Sequence, residues 1–160
     1  MKAEILALPE QYLVFKLGGK EFGFEARFLW EAATEASVTE VPRNGGLLTG
    51  VTQMHGKIIP VLDLAGLLDV SAGPSPEGFV VVNLPGTAEL LAGFSVEKVV
   101  GFVRVRAADS LPPERGPREA DIPYLKGWVG EGVKFPWLDI ERLILDQIPG
   151  DTEGKANNKD

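Results

Sequence analysis

One thirteen-residue block occurs twice in this 160-residue chain. Gly56-Lys57-Ile58-Ile59-Pro60-Val61-Leu62-Asp63-Leu64-Ala65-Gly66-Leu67-Leu68 returns 76 residues later as Gly132-Val133-Lys134-Phe135-Pro136-Trp137-Leu138-Asp139-Ile140-Glu141-Arg142-Leu143-Ile144. Both copies read Gly-x-x-x-Pro-x-Leu-Asp-[Leu/Ile]-x-x-Leu-[Leu/Ile]. A looser correspondence at an offset of 70 joins Gly23-Phe24 to Gly93-Phe94 and Pro42 to Pro112. Self-similarity at a near-constant spacing means one supersecondary plan used twice, so the chain divides into halves at 11–70 and 79–148. At this length it makes either one compact domain or two very small units sharing a core.

The periodicity inside each half is that of sheet. Tyr12 to Leu17 is aromatic and β-branched, Gly18-Gly19 is a turn, and Glu21 to Glu25 alternates with period two, which together read as a hairpin. The stretch 27–36 suits helix by propensity and strand by aromatic content; the extended run Val38 to Pro42 after it favours a short turn and then a strand. A turn follows at 43–46, then one short helical turn at Leu47-Leu48-Thr49. Val51 to Met54 and Lys57 to Leu62 read as strands joined tightly around His55-Gly56. In the second half, strands are expected over 79–84, 89–94, 98–105, 124–129 and 133–138, with a linker at 71–78 and a polar loop at 111–118. Asp63 and Asp139 each stand where a strand gives way to a short apolar helix, the place for a capping carboxylate. Many short strands with Gly/Pro turns indicate a mostly β protein built from small barrels. The polar tail 149–160 is expected to be disordered.

Composition narrows the function. A formal charge of −7 argues against nucleic acid or an anionic lipid surface as the main partner. With no cysteine and one histidine, thiolate catalysis, closed structural zinc sites and multi-histidine metal sites are excluded. No serine sits on a nucleophile turn. The run from Gly50 to Ile58 looks like a phosphate loop, but it has five residues between its glycines, Ile58 where a magnesium ligand is needed, and a strand after it. No metal, cofactor or catalytic residue is therefore expected. Asp63 and Asp139 read better as caps than as paired acid and base. Trp137 takes the repeat position of Val61, so it reads as structural; Trp30 is open between core and surface. The N-terminal apolar stretch is broken by Glu4 and Pro9 and too short for a secretory signal, and no run is long enough for a membrane helix, so a cytoplasmic protein is expected.

The assembled segments resemble the CheW family of bacterial chemotaxis coupling proteins. The carriers are Tyr12 to Gly18, Glu21-Phe22-Gly23-Phe24 and Gly50 to Leu64, with Val96-Glu97-Lys98-Val99 and Pro136-Trp137-Leu138-Asp139-Ile140 in the second half. The family's central segment reads Gly-Val-x-Asn-x-Arg-Gly-x-x-x-Pro-x-x-Asp-Leu. The resemblance implies two small five-stranded SH3-like barrels sharing a hydrophobic core, with short capping helices, over residues 11–148. It implies a non-enzymatic adaptor that links a CheA-type histidine kinase, through its regulatory domain, to the cytoplasmic tips of methyl-accepting chemoreceptors in membrane-associated arrays. The partner-facing residues it implies are Leu29, Glu31, Val38, Gly50, Gln53, His55 and Gly56. Here Gln53-Met54-His55-Gly56 stands for Asn-x-Arg-Gly, and Val96-Glu97 for Val-Asp. Glu31 and His55 are expected to lie together, the counterpart of the family's arginine and its acidic partner, on a surface tuned to a non-standard partner. A coupler for pili or surface motility is the alternative, a generic small-barrel ligand binder comes next, and an enzyme last.

Overall fold

A computed structural model describes residues 10–42, 47–71, 76–84, 86, 89–116 and 121–147. The first hairpin forms as its pattern dictates: β1 (Glu10–Leu17) and β2 (Lys20–Glu25) pair antiparallel across Gly18 and Gly19, both at positive φ. A 3-10 turn at Ala26–Phe28 leads into β3 (Leu29–Ala33). Next come β4 (Thr39–Glu40), β5 (Leu48–Met54), β6 (Lys57–Leu62) and the helix α1 (Leu64–Leu68). The second half runs β7 (Gly78–Leu84), β8 (Leu90–Val96), β9 (Lys98–Val105), β10 (Ser110–Leu111), β11 (Leu125–Val129), β12 (Phe135–Leu138) and α2 (Ile140–Gln147). Within the expected polar loop, β10 is followed by a 3-10 turn at Pro113–Arg115.

One local expectation fails. Leu48 and Thr49 open β5 instead of forming a helical turn, because Leu48 pairs with Leu62 and the Thr49 hydroxyl donates to the Val61 carbonyl at 3.1 Å. A ladder to β6 outweighs a weak local preference. The expected turn at 43–46 and the tail 149–160 lie outside the described residues.

The described strands form two sheets of six, ordered β10-β11-β12-β2-β1-β9 and β3-β7-β8-β6-β5-β4. Each has one strand more than the five expected, the extra being the two-residue β10 or β4. Neither sheet is made by one half alone. The hairpin β1–β2 joins the last four strands, and β7–β8 joins β3 to β6. The two orders correspond strand for strand under the sequence repeat, down to the parallel contact: Trp137 faces Gly23 in one sheet, Val61 faces Gly93 in the other. The sheets are thus related as copies, with their leading hairpins exchanged.

Burial explains the exchange. Along β1, Leu13, Phe15 and Leu17 face a large common core with Val80, Val82 and Leu84 of β7. Their alternate neighbours turn the other way: Tyr12 and Val14 into a small cluster with Val129 and Phe135, Phe79 and Val81 into another with Ile59 and Leu91. Strands covered on both faces are continuous apolar runs, which is how 12–15 and 79–82 read. Both helices add their apolar faces to the common core through Leu64, Leu68, Ile140, Leu143 and Ile144. Each starts at its capping carboxylate, Asp63 accepting from the Gly66 N–H at 3.0 Å and Asp139 from the Arg142 N–H at 3.2 Å. No helix among the described residues is long and apolar enough to cross a membrane.

Candidate functional site

The turn between β5 and β6 is two residues long, His55-Gly56, with Met54 paired to Lys57. Both residues have positive φ, 54° and 79°. A two-residue hairpin loop that matches the strand twist requires this, so the backbone of His55 is dictated by the hairpin. Its side chain reaches β3, on the opposite edge of the sheet, where Nε2 lies 2.8 Å from Oε1 of Glu31. With β7 and β8 between β3 and β6 in the ladder, this contact requires the sheet to curl toward closure. The indole of Trp30 meets the imidazole edge-on, with ring centroids 5.5 Å apart.

A β-bulge between Leu29 and Glu31 sets up this arrangement. An extra residue in a strand lets neighbours point where simple alternation would not send them. Leu29 packs against the common core, Trp30 against the cluster holding Ile59, Val61, Phe79 and Val81, and Glu31 meets His55. The open question about Trp30 resolves as half-buried packing with one edge against the histidine.

Four of the seven sequence-predicted residues gather around this hairpin tip: Glu31, Gln53, His55 and Gly56. Gln53 is exposed and pairs across the hairpin with Ile58. The other three lie elsewhere. Leu29 is partly withdrawn into the core. Val38 and Gly50 meet at the β4–β5 edge, where a Cβ on Gly50 would run into the Thr39 carbonyl and sit 2.9 Å from Val38 Cγ1. That is a close-packing reason for glycine. The buried Thr52 hydroxyl ties the same segment down by donating to the Ser37 carbonyl at 2.6 Å.

The exposed large apolar side chains, which include Leu48, Val133 and Leu145, escaped sequence reasoning, and two places among them bear on docking. Ile58 is 72% exposed beside Gln53, with Lys57 engaged by Glu89 at 2.8 Å. On β9, the counterpart of β3 at the 70-residue offset, Val100 and Phe102 are 46% and 56% exposed, flanked by exposed Lys98 and Arg104. The signal was available: period two puts 98, 100, 102 and 104 on one face of a regular strand with charges at both ends, although a bulge at Val100 in the ladder to β1 interrupts that alternation in the fold. Apolar residues in contiguous exposed positions are the usual mark of an interaction surface.

Other polar features look structural. Glu25 is buried, with Lys126 Nζ at 3.4 Å and Arg27 at 3.7 Å. Beside it, the Tyr12 phenol is pushed up to about 12 by burial first, and then by the charges of Glu25 and Glu10. Burial and the hydrogen bond to Asp146 raise that of Tyr124. No cluster of metal-ligating side chains occurs among the described residues.

Comparison with known proteins bears on the whole unit. A family model described as the CheW-like domain matches residues 11–147. Protein FrzA of Myxococcus xanthus is 33% identical over 145 residues, covering 86% of this chain and 88% of that protein. Chemotaxis protein CheW of Thermotoga maritima is 28% identical over 106 residues, covering 66% and 69%. Among solved structures, the scaffolding protein TtCheW of Thermoanaerobacter tengcongensis superimposes with a TM-score of 0.70 at 21% identity, covering 82% of this chain and 90% of that one. That last likeness carries the fold.

Proposed function

Since the chain belongs to the CheW-like family, we propose that it is a non-enzymatic adaptor coupling a CheA-type histidine kinase to the cytoplasmic tips of chemoreceptors. The observation that carries this reading is the family match over 11–147, which spans both sheets and the shared core. Supporting it are exposed apolar side chains at two separate places, Ile58 beside the His55–Glu31 pair and Val100 with Phe102 on β9. A body with two docking faces can hold two partners at once, and several micromolar contacts, about −8 kcal/mol each, compound in an array by effective concentration. The partner-facing set is Glu31, Gln53, His55 and Gly56 at the hairpin tip, with Leu29, Val38 and Gly50 supporting it from the strands. The protein works in the cytoplasm and reaches the membrane through its partners.

The test is titration of the purified chain against a kinase regulatory domain and, separately, a receptor-tip fragment. Binding to both near micromolar Kd is expected. Ile58→Ser and Phe102→Ser should each weaken one partner by about tenfold or more while leaving the circular dichroism spectrum unchanged, as for residues at the centre of an interface. Binding to neither partner, or turnover of a substrate by the chain alone, refutes the reading. A second reading keeps the adaptor and changes the output to pili or surface motility. It is favoured by His55 standing where the family segment has arginine, and preference for a kinase from such a system over a flagellar one distinguishes it.

A further inference from the structure

The substitution of histidine at the hairpin tip has a chemical consequence that arginine would not. We propose that the His55–Glu31 pair makes this surface a proton-controlled docking face for the kinase regulatory domain, which it binds more tightly when the imidazole is protonated. The inference rests on the adaptor reading and names a regulation of that same site.

The geometry leaves both groups open to a partner, with the side chains of His55 and Glu31 61% and 35% exposed. Nε2 can donate to the carboxylate in the neutral ring as well as in the charged one, so protonation changes charge rather than making or breaking the hydrogen bond. The difference emerges when a partner excludes water. A carboxylate facing a neutral donor then keeps an uncompensated charge in a poorly polarisable environment, whereas one facing an imidazolium is matched and holds a charge-assisted bond. Covering the rim is therefore less costly with the proton in place, and association takes up a proton.

Among the described contacts, Glu31 is the charged group that meets the imidazole. β3 brings Glu31 and the uncharged Trp30 ring. From β6, Lys57 is already paired with Glu89 on the approach to β8. β5 brings Gln53 and Met54, neither of them titratable. An imidazole changes charge between pH 5 and 8, a range in which a guanidinium stays charged. His55 is also the chain's single histidine, which ties any histidine-linked effect in this protein to one place.

The experiment is isothermal titration of the whole chain against a kinase regulatory domain at about pH 6 and about pH 8, in two buffers of different ionisation heat. Wild type should bind roughly three- to tenfold tighter at the lower pH, with net proton uptake. His55→Arg should be tight at both and His55→Gln weak at both. Equal pH profiles for wild type and His55→Arg, or proton uptake that persists in His55→Gln, overturn the proposal. If the regulatory domain fails to bind at every pH, the adaptor reading is what has failed. The proposal falls with it, whereas binding with the same pH profile in wild type and His55→Arg sinks the proposal alone.

Discussion

Gly23→Ala is the sharpest probe of the duplicated architecture. The backbone at Gly23 is held on both sides, by Val14 in the β1 ladder and by Trp137 in the parallel contact to β12. A Cβ there would sit 2.5 Å from Cε1 and 3.0 Å from Cδ1 of Phe135, and 3.1 Å from the Leu13 carbonyl oxygen. The Phe135 ring cannot swing away freely, since it packs edge-on against Tyr12, at 6.0 Å between centroids, inside a buried cluster with Val14 and Val129. Overpacking of this kind costs about 1–3 kcal/mol. Replacing glycine also restricts the unfolded chain, which returns about 0.4–1 kcal/mol. The net expectation is a loss of about 1–2 kcal/mol, read from the urea midpoint at constant slope. Phe135→Leu removes the obstructing ring edge, so the double variant should be less destabilised than the two singles added, by at least about 0.5 kcal/mol. The repeat makes a matching demand: Gly93→Ala, 2.7 Å from Cζ of Phe79, should cost a similar amount. A neutral or stabilising Gly23→Ala, or strict additivity with Phe135→Leu, would refute the packing argument.

Three further outcomes follow from the structure. Asp63→Ala and Asp139→Ala each remove a carboxylate that accepts from a first-turn N–H, and each should cost about 1 kcal/mol in thermal or urea unfolding, with asparagine retaining most of it. Absorbance titration of the native protein should show Tyr12 ionising at about 12 and Tyr124 above the ordinary phenol value. Because the folded state holds the phenol protons more tightly than the unfolded state, stability should fall as pH rises from about 10 to about 12, and a flat stability profile across that window contradicts it. Lys126→Ala should destabilise more than Arg27→Ala, since both cations lie over an aromatic ring but Lys126 is nearer Glu25 and Arg27 is more exposed; the reverse order in urea unfolding would show that Glu25 is balanced from the other side.

What could be read from the residues was local in origin. A hairpin needs only Gly18-Gly19 between alternating runs, a cap needs only Asp before an apolar turn, and a tight turn needs only His55-Gly56; each appears where the pattern put it. The pairing of Glu31 with His55 was legible in another way, through resemblance to a family, because nothing within β3 or the hairpin alone brings residues 24 positions apart together. Tertiary structure decided the rest. Leu48 and Thr49 are strand because β6 lies beside them, and the bulge at Leu29 to Glu31 divides adjacent side chains between two cores and a surface. The same holds for the exchanged hairpins. Two halves written to one plan state which strands exist, but a strand that is apolar on both faces can be satisfied only where another sheet covers its second side. That cover comes from the other half of the chain, so burial, which no local stretch can register, determined the partners of β1 and β7 and left Phe102 and Ile58 outside.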